Sequence, residues 1–329
     1  MTAATNEPSA RTAVPDVEQH LQLIVADHRE IAAGVVCLEL TGPDGARLPA
    51  WSPGAHIDLV LGRDLVRQYS LCGPRDDHGR WRIGVLREVD GRGGSAFIHD
   101  RLRTGDTVEV VGPRNNFPLE RAARYRFVAG GIGVTPLIPM IAAADAAGAD
   151  WSLLYGGRSR SSMAFVDELA AYRDRLILHP EDESGLLPLT RHLVPGDDAL
   201  VYCCGPEPLI AAVEDACATW PPGSLHVERF RPKPGARDGS SEAFEVVCQD
   251  SGVTVTVSTG QSIIEALETA GIDVPSSCRE GTCGTCETEV LEGVPDHRDS
   301  FLTDAEREAG ETIMICCSRA KSPQLVLGV

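Results

Sequence analysis

Three cysteines in one short run, Cys278, Cys283 and Cys286 with the spacing C-x4-C-x2-C, limit what this chain can become more than any other feature. A fourth, Cys316, follows after 29 residues, with Cys317 beside it. A two-iron, two-sulfide cluster needs two thiolates on each iron, and this spacing supplies three from one tight loop and the last from a distant segment. Such a loop must wrap closely and aim backbone N–H groups at the sulfurs. Gly281 and Gly284, with Thr282 and Thr285 between the ligands, allow that approach. Zinc is the competing reading, but zinc ligands ordinarily come as two short-spaced couples and only one couple is present. The spacing therefore predicts a 2Fe-2S centre.

The segments VPSSCREGTCGTC and ICCSRA resemble the plant-type ferredoxin cluster loop and its fourth-ligand strand. That resemblance implies Cys278, Cys283, Cys286 and Cys316 as metal ligands, with Cys317 a packed neighbour. Around the loop, FEVVCQDSGVTVTVSTG reads as two alternating strands joined by a DSG turn, SIIEALETAG as an amphipathic helix ending at Gly271, and TIMICCS and LVLGV as later strands. A hairpin, a helix and returning strands predict a small β-grasp unit over 243–329. A Pro-, Gly- and Ser-rich linker, 231–242, precedes it. The unit carries 15 Asp and Glu against 5 Lys and Arg, more than half of the chain's net charge of −18. Such acidity argues against nucleic acid and suggests a basic partner surface, for which Glu280, Glu287 and Glu289 beside the cluster are candidates.

At 329 residues and 43% hydrophobic, the chain can build two or three cores. Eleven cysteines, an odd number, together with the lack of a recognisable secretory signal, fit a reducing compartment, and a cytoplasmic location is expected. No apolar run approaches the roughly 18 to 20 residues that cross a bilayer, so no membrane span is expected. The polar residues 1–15 read as a disordered arm.

Segments such as HIDLVLG, RQYSLCG, RWRIGVLRE and DTVEVVGP are short alternating strands, predicting an antiparallel β-barrel over 16–120. Within it, Arg67-Gln68-Tyr69-Ser70 resembles the R-x-Y-S flavin strand of the ferredoxin reductase superfamily. The chemistry suits that role, because a guanidinium grips phosphate, a tyrosine offers a flat apolar face, and a hydroxyl can bond near flavin N5. Gly93, Gly94 and Ser95 open a helical pattern whose free N–H groups suit the same phosphate. With no segment to hold an adenosine half, FMN is expected rather than FAD.

From 121 to 230 the rhythm changes to alternating strands and helices, which predicts an α/β nucleotide-binding domain with a parallel sheet. Its first strand runs into Gly130-Gly131-Ile132-Gly133-Val134-Thr135-Pro136, a glycine turn suited to a pyrophosphate. Further on, Cys204-Gly205-Pro206 resembles the motif lying beside nicotinamide in the same superfamily.

Taken together, the chain resembles the phthalate dioxygenase reductase family, which also includes vanillate demethylase reductases. The resemblance implies cofactor contacts from Arg67, Tyr69, Ser70, Gly93, Gly94 and Ser95 to FMN, from Gly131, Thr135, Arg158 and Cys204 to a pyridine nucleotide, and a cover over the flavin from Phe230. It implies hydride transfer from nicotinamide to flavin, then single-electron passage through the cluster to a terminal oxygenase. A Rieske non-haem iron oxygenase acting on an aromatic compound is the expected partner; the alternatives are a cytochrome P450 or a redox-sensing role. NADH is expected as donor, with NADPH the alternative suggested by Arg158 and Arg160, and the chain is expected to be a monomer.

Overall fold

The structure is a computed structural model that describes residues 19–62, 65–89, 91–236, 238–239 and 242–329. The arm expected at 1–15 and residues 237, 240 and 241 of the expected linker lie outside them.

Six strands, β1 (His20–Ala32), β2 (Val35–Thr41), β3 (His56–Val60), β4 (Val66–Ser70), β5 (Arg80–Leu86) and β6 (Thr107–Arg114), form an antiparallel sheet in the order β4-β3-β6-β1-β2-β5. A bridge between Leu71 and Ile83 joins the two edges, so the sheet closes into the expected barrel. Trp81, Leu38, Leu40, Ile57 and Leu59 fill it. Helix α1 (Gly94–Asp100) follows a turn in which Gly93 has φ +85°, a conformation glycine adopts without strain.

The second unit holds β7 (Arg124–Gly130), β8 (Asp150–Gly157), β9 (Leu176–Pro180), β10 (Leu200–Cys204) and β11 (Leu225–Glu228), all parallel, in the order β11-β10-β7-β8-β9. Its strands are apolar on both faces because helices cover both. Phe127, Trp151, Tyr155 and Tyr202 pack on one face with helix α2 (Leu137–Ala146), and Val128, Val201, Cys203 and Ile210 on the other. Strand order reverses at β7, which opens a crevice beyond the ends of β7 and β10, where α/β sheets bind ligands. The segment 163–174, whose pattern reads as one helix, instead forms a single α-turn at Val166–Leu169 and then a 3-10 stretch, Ala170–Arg175.

The third unit is a β-grasp. β12 (Phe244–Cys248), β13 (Val253–Val257), β14 (Glu287–Glu292), β16 (Thr312–Met314) and β18 (Gln324–Leu327) lie in the order β13-β12-β18-β14-β16, with β12 and β18 parallel. Two short strands, β15 (Pro295–Asp296) and β17 (Arg319–Ala320), pair beside them. The helix Ile263–Thr269 begins with a capping box in which Ser262 and Glu265 satisfy each other's backbone N–H. Its apolar face, Ile263, Ile264 and Leu267, is buried in the core. β16 stops at Met314, two residues before Cys316, because the Cys317 and Ser318 N–H groups turn back onto the Met314 carbonyl. The fourth cysteine therefore sits in a turn after the strand rather than within it.

Candidate functional site

The three units meet around a cavity of about 1020 Å³ that reaches Arg67–Ser70 on β4, Glu228 and Phe230 at the end of β11, and Cys278 and Cys283 of the cysteine loop. A smaller one of about 410 Å³ shares Arg67–Ser70 and Phe230 and runs to Gly94, Ser95, Ile132 and Thr135.

On the barrel side, the Arg67 guanidinium donates to the carbonyls of Val66 (2.7 Å) and Arg92 (2.8 Å), and its side chain passes close to Gly94 at the start of α1. A Cβ on Gly94 would stand 2.3 Å from its Cγ, so only glycine fits there. Burial, then the neighbouring Arg92, lowers the Arg67 pKa, the signature of a partly desolvated cation beside a second one. An anion relieves that repulsion. The Ser95 hydroxyl accepts from the Glu88 N–H at 3.0 Å and keeps its own proton to donate. Burial raises the Tyr69 phenol well above its ordinary range, so it stays neutral and presents a flat face to the cavity.

The nucleotide-side motifs are pressed together. A Cβ on Gly133 would lie 2.3 Å from the Cys204 carbonyl oxygen, so the glycine turn after β7 can seat against the Cys204–Pro206 turn after β10. Gly131 holds φ +54°, and the buried Thr135 hydroxyl donates to the Ile132 carbonyl at 2.9 Å, closing the turn. Cys204 is fully buried with its Sγ 3.9 Å from Glu228 Oε2, and the Ser70 hydroxyl reaches the same oxygen at 3.5 Å. Burial pushes Glu228, a residue the sequence reading passed over inside HVERF, up to about 8, which favours its protonated form. Phe230, 41% exposed, borders both cavities. Arg158 and Arg160 are exposed beyond the end of β8 and line neither cavity.

Cys278, Cys283, Cys286 and Cys316 are buried, and their thiols face one another: Cys278 meets Cys283 and Cys316, and Cys286 meets Cys316. The Glu280 N–H points at Cys278 Sγ (3.3 Å), the kind of donor a cluster loop needs, and the Cys283 thiol donates to Thr285 Oγ1 at 3.3 Å. Gly281 and Gly284 hold φ +75° and +76°, and Cβ atoms there would strike Cys317 Sγ and the Phe301 ring. Cys317 thus packs against the back of the loop. Among the described residues no group of three or more His, Cys, Asp or Glu is spaced to hold one metal ion. Of the three acidic candidates, Glu280 is partly exposed with its carboxylate paired to Arg92 at 2.7 Å, whereas Glu287 and Glu289 are exposed.

The 2Fe-2S iron-sulfur cluster binding domain family matches residues 246–321. A phenoxybenzoate dioxygenase subunit beta from Ectopseudomonas oleovorans is 44% identical over 90% of this chain and 93% of its own length. The crystal structure of phthalate dioxygenase reductase, described as modular for electron transfer from pyridine nucleotides to [2Fe-2S], is 38% identical with a TM-score of 0.71, covering 94% of this chain and 98% of that one. The chain belongs to the phthalate dioxygenase reductase family. Similarity also extends to a type IV self-sufficient cytochrome P450 monooxygenase, 43% identical with a TM-score of 0.85 over 94% of this chain, which spans 41% of that longer protein.

As expected of a phthalate dioxygenase reductase relative, four mutually facing buried thiols with N–H donors fit a two-iron cluster, and the paired Arg67 and Arg92 fit an anionic cofactor. No helix among the described residues is long and apolar enough to cross a membrane.

Proposed function

We propose that the chain is the reductase component of a multicomponent oxygenase, carrying electrons from NADH through FMN and a 2Fe-2S cluster to a Rieske non-haem iron oxygenase acting on an aromatic compound. The observation that carries this reading is the convergence of β4, the Cys204 and Glu228 end of the parallel sheet, and the cysteine loop on one place. Nicotinamide gives two electrons together and the cluster takes one at a time, so the bound flavin supplies the exchange between them.

In this reading Arg67, Gly93, Gly94 and Ser95 hold the flavin phosphate, Tyr69 lies along the ring and Ser70 bonds its polar edge. Gly131, Thr135 and Cys204 receive the nicotinamide half, Arg158 meets the adenosine half, and Phe230 covers the flavin until nicotinamide displaces it. Glu228 holds a proton between Ser70 and Cys204, where charge changes as hydride moves. The working units are the barrel at 16–120, the nucleotide unit at 121–230, the linker at 231–242 and the cluster unit at 243–329. None of the eleven cysteines is paired in a disulfide, which supports a cytoplasmic location. Delivery to a cytochrome P450 is the second reading, supported by the likeness to the self-sufficient monooxygenase.

Purified protein should release FMN on chromatography and show flavin and 2Fe-2S absorption bleached by NADH, with NADH favoured over NADPH by about tenfold in kcat/KM, about 1.4 kcal/mol. A colourless protein overturns the reading. An NADPH preference overturns the nucleotide choice alone, and reconstitution with a Rieske oxygenase or a P450 decides the partner class.

A further inference from the structure

The side chains between Arg67 and Tyr69 on the flavin strand and Cys278 on the cluster loop form a closed polar bridge. The Asp58 carboxylate, on β3 and only 3% exposed, accepts from the Ser277 hydroxyl at 2.6 Å and from the Gln68 amide at 3.1 Å, and pairs with Arg114 at 2.5 Å. Gln68 donates a second bond, at 3.3 Å, to the Ser277 hydroxyl oxygen. Three residues from two units therefore close a triangle. Ser277 directly precedes Cys278, and Gln68 lies between Arg67 and Tyr69, both assigned to the flavin. Two further bonds run the same way: Asn116 donates to the Cys283 carbonyl, and Arg92 reaches the Cys278 carbonyl at 3.5 Å.

A carboxylate this buried is stable only while its donors stay in place, so the triangle resists separation of the two units far more than a surface contact of equal size. We propose that Asp58, Gln68 and Ser277 are positioning residues that clamp the cluster loop onto the flavin strand and set the rate at which electrons pass from flavin to cluster. The proposal rests on the functional reading above. The step concerned moves one electron from reduced flavin to a ferric iron, with no covalent bond made or broken in the chain. Electron tunnelling weakens steeply with separation, so loosening this bridge slows that step and leaves the nicotinamide step untouched.

Ser277→Ala is the test of choice, because it removes the triangle's own link to the loop while the Asp58 pairs with Arg114 and Gln68 inside the barrel remain. Asp58→Asn disturbs that barrel network and is not relied on. In stopped-flow mixing with NADH, Ser277→Ala should keep flavin reduction within about twofold, keep its iron content, and slow cluster reduction by about tenfold, equivalent to about 1.4 kcal/mol. Ser277→Thr should restore it. Hydrogen exchange, read without any turnover, should show faster amide exchange across residues 277–286 in Ser277→Ala than in wild type and normal exchange in the barrel. Wild-type exchange in the loop together with wild-type cluster reduction overturns the bridge. Wild-type protein that NADH cannot reduce overturns the functional reading instead, and the exchange comparison still decides whether the clamp exists.

Discussion

Cys283 offers the most direct residue-scale test of the ligand assignment because it lies between Cys278 and Cys286 in the loop. Replacing a thiolate by the harder serine oxygen in Cys283→Ser should lower iron content and one-electron transfer to cytochrome c, while NADH-driven dye reduction through the flavin continues. Cys317→Ser, behind the loop against Gly281, should retain its cluster. Full iron and cytochrome c activity in Cys283→Ser would count against the ligand assignment. Glu228 makes a different prediction. Its carboxyl ordinarily titrates near 4.5 and burial raises it to about 8, so between those values the folded protein keeps a proton that the unfolded chain has released. Stability is unaffected below that window, falls as pH rises through it, and the whole loss is in place above about 8. Melting temperature should therefore decline over this range, and Glu228→Gln, which cannot ionise, should lose that part of the slope. Identical slopes would reject the assignment.

At the scale of elements, the junction between the glycine turn after β7 and the Cys204 turn after β10 is the tightest contact around the nucleotide site. Gly133→Ala forces backbone or side-chain movement there, at a cost of about 1 to 3 kcal/mol for an overpacked site. The expected result is a lower melting temperature and a raised KM for NADH, with FMN and iron contents unchanged. An unchanged KM would show that the turn does not shape the nucleotide site. Local signals read well wherever the bonding is local: Ser262 and Glu265 mark the helix start in the sequence and cap it in the structure. They fail where distant contacts decide. Phe165 sits at φ +60° beneath the Arg82 guanidinium, 5.1 Å from its ring centre, and Tyr172 meets Trp151 edge-on at 5.0 Å. Those contacts break the apparent helix of 163–174 into a turn and a 3-10 stretch.

For the whole molecule, the acidic excess of the cluster unit predicts electrostatic steering of an oxygenase partner. The screening length is about 8 Å at 0.15 M ionic strength, so raising salt towards about 0.5 M should slow electron delivery to the oxygenase without comparably slowing flavin reduction by NADH. Because the Glu280 carboxylate is already paired with Arg92, the charges to neutralise are Glu287 and Glu289. Partner-step rates insensitive both to salt and to Glu287→Gln with Glu289→Gln would favour apolar docking around the cluster loop.

The amino-acid sequence by itself marked out the three folding units, the C-x4-C-x2-C loop and the glycine turn after β7, because each rests on spacing or periodicity within a few tens of residues. Tertiary structure alone decided which polar groups meet. Glu228 finds Ser70 across 158 residues, Gln68 finds Ser277 across 209 and Asp58 finds Ser277 across 219, and each partner looks ordinary in its own segment. A carboxylate set in an apolar strand, as in HIDLV and HVE, signals only that some donor must come to it. Which donor comes is settled when the barrel, the parallel sheet and the β-grasp unit close on one another.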